Sequence, residues 1–282
     1  SNAVIYSYKW SKGLAFMNTK GTLSTSDDVP FRLITKFTDQ DGKTIDFTTT
    51  QEIAALFEDS RGRVWVGHEQ GIFMIPNPED FDKADFRIQR IKVPRNDGSN
   101  FADYLLDAEN VLCIAEDGIG RKWIGTLTSG AYLVNENGTE ILEHFTPDNS
   151  MLTTNTIYAV GCDPNSNSVY FGTVDGLFRY NSDSAPGASD YSDVYAYPNP
   201  VRPEYTGWIT VKGLMDDSLV KIADAAGNVF HQGRSNGGIF VWDGCDASGN
   251  RVKTGVYYVF ASQGGSEGTS SSAAVTKILV VN

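Results

Sequence analysis

The 282 residues carry 35 acids against 23 bases, a net charge of -12. That acidity excludes nucleic acid as a partner, since such binding rests on neutralising phosphates with Lys and Arg. No run of about 18 apolar residues occurs, so no transmembrane segment is expected in the chain. Apolar runs of four to eight residues, bounded by Asp, Asn, Gly and Ser, recur from end to end, which is the pattern of an all-β protein.

Ser1-Asn2-Ala3 reads as the scar of a cleaved purification tag and is left out of the fold reading. From residue 4 to 185 the chain repeats itself. Residues 53–75 (IAALFEDSRGRVWVGHEQGIFMI), 111–134 (VLCIAEDGIGRKWIGTLTSGAYLV) and 157–180 (IYAVGCDPNSNSVYFGTVDGLFRY) align. Each copy has an apolar strand ending in Asp59, Asp117 or Asp163, then a turn and an aromatic, Trp65, Trp123 or Tyr170. A glycine follows two residues on (Gly67, Gly125, Gly172), and a second (Gly71, Gly130, Gly176) opens another strand. A partial copy, Trp10 with Gly13-Leu14-Ala15-Phe16, precedes them. Residues 33–42, 88–98 and 141–150 read as outermost strands with their connections.

Four strands per repeat is the arithmetic of a β-propeller blade. The aromatics are expected to pack between blades, the glycines to supply positive φ in tight hairpins, and each Asp to bond its own turn. The residues resemble the two-component regulator propeller repeat, in which an apolar strand, E-D, a glycine turn, W-x-G and G-L/I follow one another. That resemblance covers about residues 10–185 and departs in the last copy, with Tyr170 for Trp and Gly161-Cys162 ahead of the Asp. It implies about four blades. The innermost strand of the first copy and the outermost of the last are not found, so the blades are expected to form an open arc and to be a fragment of a larger propeller.

Residues 182–194 are small and polar and read as a short linker. From 193 to 282 six or seven short strands separated by turn signals predict an Ig-like β-sandwich. Asp224 to Asn228 marks a hairpin, and the Ser/Gly run Ser262 to Ser272 a loop before the last strand. Tyr197-Pro198-Asn199-Pro200, Trp242-Asp243-Gly244, Gly255-Val256-Tyr257 and the closing Lys277-Ile278-Leu279-Val280-Val281 resemble the C-terminal domains of the type IX secretion system. The W-D-G and G-V-Y elements are also similar to the Ig-like domain of flagellar hook-capping proteins. Regulator propeller joined to such a domain resembles the PorZ-like family of surface components of type IX secretion. The resemblance makes Pro198, Asn199, Pro200, Gly255, Tyr257 and Lys277 a sorting or attachment motif, displayed on a last strand whose edge can pair with a receptor.

Catalysis is not indicated. One acid per blade is a turn pattern, whereas glycosidase chemistry needs one pair at a fixed separation. His68 fills the slot of Thr126 and Thr173 and predicts a hydrogen-bonding role at the blade rim, while His144 and His231 sit in unrelated contexts. DQDG at 39–42 and DPNSNS at 163–168 lack the glycine and glutamate of a calcium loop. Cys113, Cys162 and Cys245 form neither a disulfide framework nor a zinc site. No cofactor is expected. Against an acidic background (26 acids and 16 bases up to residue 189, then 9 and 7), residues 86–96 hold Arg87, Arg90, Lys92 and Arg95 and no acid. They are either a charged guard on an outer strand or a candidate anion-binding face.

The resemblance implies a non-enzymatic scaffold, exported to the outer-membrane surface or periplasm. It would bind secretion-system proteins at the outer membrane and lipopolysaccharide or another glycan. The alternative is a carbohydrate-sensing ectodomain of a two-component regulator. Kinases with such propellers continue into a different sandwich and a membrane span, and this chain ends after its last strand.

Overall fold

The computed structural model describes residues 3–7, 12–22, 24, 26–48, 52–95, 98–99, 101–263 and 274–282. Trp10 and most of the Ser/Gly run lie outside the described residues. The chain divides into two compact units. The first comprises residues 1–116, 120–162 and 169–180, and the second residues 117–119, 163–168 and 181–282.

In the first unit four antiparallel sheets follow one another as an open series of propeller blades. Sequential strands pair throughout, and no strand of the first sheet pairs with one of the last among the described residues. The first blade is Ala3–Tyr6, Leu14–Asn18 and Val29–Ile34. The second is Ile53–Glu58, Val64–His68 and Gly71–Ile75. The third is Val111–Glu116, Lys122–Thr126, Ala131–Val134 and Ile141–Phe145. The fourth is Ala159–Cys162, Ser168–Thr173 and Gly176–Asn181.

Two expectations on strands are corrected. Only 141–150 supplies an outermost strand in the same sheet as its repeat. The stretch 33–42 instead begins at the end of Val29–Ile34, and Lys36–Thr38 turns back on Thr44–Asp46 as a separate ribbon. Likewise Lys92–Pro94 pairs with Ala102–Tyr104, and the second blade's outer position is reduced to one bridge, Met74 to Gln89. The physical reason lies at Phe37, Phe47, Ile88 and Ile91, which drop into the core and pull these segments out of sheet register. The last residue of the supposed tag, Ala3, also takes part, facing Asn18 across the first blade.

The second unit is a sandwich of seven strands. Tyr195–Tyr197, Ile209–Lys212 and Ile239–Trp242 form one sheet. Val229–Arg234, Leu219–Ala223, Gly255–Ser262 and Ala274–Val280 form the other, in that spatial order. Alternate residues Val220, Ile222, Tyr257, Val259, Ala261, Ile278 and Val280 point inward onto Val211, Phe240 and Trp242. Residues 182–194 are not a free linker. Ser182 and Ser184 are buried, Ala185 bridges Gly237, and the Ala188 amide donates to the Leu214 carbonyl at 2.8 Å.

One turn recurs in both units. In Asp39 to Lys43, Asp59 to Arg63, Asp224 to Asn228 and Asp246 to Asn250, the Asp Oδ1 accepts the amides two and four residues on at 2.8–3.0 Å. The fourth residue of each is a glycine with φ between 75° and 86°, the left-handed conformation in which a side chain is strained.

Candidate functional site: blade seams and the edge of the last strand

Trp65 and Trp123 occupy equivalent strand positions and are both fully buried, at 0% exposure. Each lies between its own blade and the next. Trp65 packs with Ile114, Ile124 and Val134 of the third blade, and Trp123 with Val169 and Phe171 of the fourth. Tyr170 does not repeat this. It is half-buried, because no further blade follows it in the unit.

Around Trp65 the seam is charged. Its Nε1 donates to Asp59 Oδ2 at 2.8 Å, and the same oxygen accepts Arg63 Nε at 2.8 Å. Lys122, also at 0% exposure, reaches in from the third blade. Its Nζ lies 2.9 Å from Glu116 Oε2 and 3.6 Å from Asp59 Oδ2, and donates to the Gly120 carbonyl at 2.5 Å. The ammonium stands 5.1 Å from the Trp65 ring centroid. Burial pushes the Asp59 carboxyl up, and the Trp65 and Arg63 donors with the Lys122 charge outweigh it, so its pKa falls below the usual value. Sequence reading placed Asp59 in its turn and missed Lys122. The available signal was a lysine at an alternating inward position of an otherwise apolar strand.

The glycines divide into two roles. Gly71 and Gly130 have φ of 117° and 80°, and their amides donate to the Glu109 and Asn155 carbonyls ahead of the next blade. The expectation of positive φ fails for Gly67 and Gly125, where the reason is close approach. A Cβ on Gly67 would stand 2.5 Å from Val111 Cγ1 on the next blade's inner strand. One on Gly125 would stand 2.5 Å from Cys113 Sγ of its own blade and 2.7 Å from Ile157 Cγ2, just ahead of the next blade's inner strand. At Gly172 the nearest atom is Ala159 Cβ of its own blade, at 3.3 Å.

His68 is buried, accepts the Gln70 amide on Nδ1 at 3.2 Å, and packs against Phe47 and Phe73. Thr126 and Thr173 accept turn amides in the same slot, from Ser129 and Asp175. Burial, with the Arg90 charge, pushes the His68 pKa down to about 3.

The basic run does not form one open cationic face. Arg90 pairs with Asp107 at 2.7 Å, Lys92 with Asp41 at 2.8 Å and Arg95 with Asp103 at 2.5 Å. Arg87 donates to the Phe86 carbonyl, and the Arg90 guanidinium stacks 3.6 Å from the Tyr104 ring centroid. The acids that neutralise the run come from other segments, which a local charge count cannot see.

The residues that the resemblance offered as a sorting motif fall into two groups. Tyr257 is core, packed on Phe230 and Trp242, with its hydroxyl on the Lys253 carbonyl at 2.8 Å, and Gly255 faces Val280 in the same pairing. Pro198, Asn199 and Pro200 lie along the outer edge of the last strand. Asn199 Nδ2 donates to the Lys277 carbonyl at 2.9 Å, and its Oδ1 accepts the Leu279 amide at 3.0 Å. Val201 then donates to the Leu279 carbonyl at 2.7 Å and accepts the Val281 amide at 2.9 Å. The edge expected to be open from Lys277 onward is therefore already paired. Lys277 itself is exposed. Among the described residues, no helix is long and apolar enough to cross a membrane, and no His, Cys, Asp and Glu group is placed to hold a metal.

A family model described as "Two component regulator propeller" matches residues 49–70, the strand and turn that lead to Trp65 and Gly67. The structure of PorZ, described as an essential bacterial surface component of the type-IX secretion system of Porphyromonas gingivalis, is 31% identical with a TM-score of 0.64. The match covers 96% of this chain and 35% of that one, so the chain spans about a third of that structure's length. Two extracellular domains of hybrid two component systems of B. thetaiotaomicron, BT4673 and BT3049, are each 14% identical. They cover 96% and 98% of the chain and 35% and 44% of their own, with TM-scores of 0.36 and 0.34, too low to carry an argument. No curated protein matches. Regulator-propeller blades, a seven-stranded sandwich and an alignment that spans 96% of the chain make this chain similar to PorZ, with a two-component regulator propeller repeat in its second blade.

Proposed function

We propose that the chain serves a type IX secretion machinery as a non-enzymatic, exported surface component. In this reading the propeller unit binds partner proteins at the outer membrane and the sandwich is the module read for export or attachment. The observation that carries it is the similarity to PorZ, which at 31% identity includes the propeller and the sandwich alike. The blade acids support a non-catalytic role, because Asp59, Asp117 and Asp163 each accept a backbone amide of their own turn. Lipopolysaccharide is not assigned to the basic run, since three of its four bases are paired with carboxylates.

The test is deletion of residues 273–282 in the full-length natural protein, read by surface labelling and by secretion of cargo. Loss of surface delivery is the expected result, with secretion-system proteins co-purifying from outer-membrane extracts with the undeleted form. Normal delivery and normal secretion without those residues would overturn the reading and put a carbohydrate-sensing ectodomain in its place.

A further inference from the structure

The last strand, Ala274–Val280, is the outer strand of its sheet: among the described residues it pairs with the strand Gly255–Ser262 on one side and with no strand on the other, where Val201 makes a single bridge to Val280. An unpaired strand edge is a template for another strand. Here its C-terminal half is covered by a short segment of the same unit, and the cover is uneven. Val201 is fully buried and bonds Leu279 and Val281 through its main chain. Two residues earlier the pairing continues through a side chain: the exposed Asn199 amide takes the place of a peptide group, giving to the Lys277 carbonyl and receiving from the Leu279 amide. Pro198 and Pro200 flank it and have no N–H to offer a further strand. The Leu279 amide and carbonyl both face outward, and alternation turns the main-chain groups of Lys277 to the same side, where Asn199 takes the carbonyl; nearer the start of the strand the bulge opposite Val259 and Phe260 ends that alternation. The edge thus has a buried anchor at Val201 and a solvent-exposed clasp at Asn199.

We propose that Tyr197 to Val201 is a displaceable strap. The occupant it keeps out is an extended strand of a partner protein, which would displace Asn199 and pair along the edge from Lys277 to Leu279. A segment of this chain already lies there with alternating main-chain-type bonds, which is why an extended strand is the occupant that fits. The inference rests on the sandwich being a module that a partner reads.

Amide exchange on the full chain tests it. Asn199→Ala should speed exchange at Leu279 by about tenfold or more. Asn199→Asp, which keeps an acceptor oxygen, should stay near the unchanged chain, and Val281 should not respond in either variant. Equal Leu279 rates in Asn199→Ala and the unchanged chain would overturn the clasp. So would an equal rise at Ile278 and Val280, which face Tyr257 and Gly255 and report general loosening. A synthetic peptide of residues 193–204, at millimolar concentration, should restore slow Leu279 exchange in Asn199→Ala and leave the unchanged chain unaffected. Failure of that rescue would overturn strand entry. These readouts are independent of delivery. If the 273–282 deletion still reaches the surface while they hold, the export reading fails and the strap stands.

Discussion

Two successive seams of the propeller unit are built from the same repeat and hold together by different means. Between the second and third blades, Trp65 is ringed by Asp59, Arg63, Lys122 and Glu116. Between the third and fourth, Trp123 meets Phe145, Phe171 and Tyr180, and its Nε1 has no hydrogen-bond partner among the described residues. A repeat fixes where an aromatic sits but not how its polar atom is satisfied. The apolar seam tolerates imprecise packing at modest cost, whereas the charged seam holds only if every member is in place.

That contrast is sharpest at Lys122. Lys122→Ala removes the ammonium and leaves Asp59 and Glu116 without it, and should lower stability by about 3–5 kcal/mol in urea denaturation. A loss under about 1 kcal/mol would mean that the seam is not held by charge. Next come the two indoles. Trp65→Phe strips a buried carboxylate of one donor and should cost about 1–3 kcal/mol beyond its lost volume. Trp123→Phe removes an unpartnered N–H, and its cost should stay under about 1.5 kcal/mol in the same measurement. Equal losses would erase the distinction between the seams.

The glycines test a feature that both seams share. Gly67→Ala and Gly125→Ala each force a Cβ against the neighbouring blade and should cost about 1–3 kcal/mol. Gly172→Ala, with no such neighbour, should stay within about 0.5 kcal/mol. A large Gly172 effect would show that the repeat needs this glycine for its own strand.

Acid separates the blades in a last way. His68 has a folded pKa of about 3, below its ordinary 6.5, so the unfolded chain binds its proton first. Stability is therefore full above pH 6.5 and falls by about 1.4 kcal/mol per pH unit below it, until the folded group protonates near 3. Asp59, whose folded pKa is lowered, contributes stability above the ordinary carboxylate pKa that is lost only in stronger acid. Denaturation midpoints of His68→Gln between pH 7 and 5 should lack the first slope. An unchanged slope would place that titration elsewhere.

Much of this molecule is legible in its residues because the signals are local. The Asp turns, the positions of Trp65 and Trp123 and a sandwich of six or seven strands follow from spacing alone. What escaped depends on residues far apart in the chain. Asp41, Asp103 and Asp107 neutralise the basic run from other strands, Val111 and Ile157 explain Gly67 and Gly125, and Lys277 and Leu279 explain Asn199. Lys122 was hidden for a related reason: a lysine in a strand reads as surface until a neighbouring blade covers it. The separate ribbon at Lys36–Thr38 shows the opposite failure, where local alternation fitted an outer strand and the burial of Phe37 decided otherwise.

The Asp-x-x-Gly turn found in both units bears on how the chain reaches its structure. Each copy closes through contacts spanning four residues, so little chain entropy is lost in forming it, and hairpins of this kind form in microseconds. The hairpins at Asp59, Asp224 and Asp246 need nothing from the rest of the chain to begin. Two units with unrelated cores therefore share a turn that can close before either core forms. Replacing Asp59 or Asp224 by Ala is expected to slow refolding, while a seam residue such as Trp123 chiefly sets how fast the finished unit comes apart.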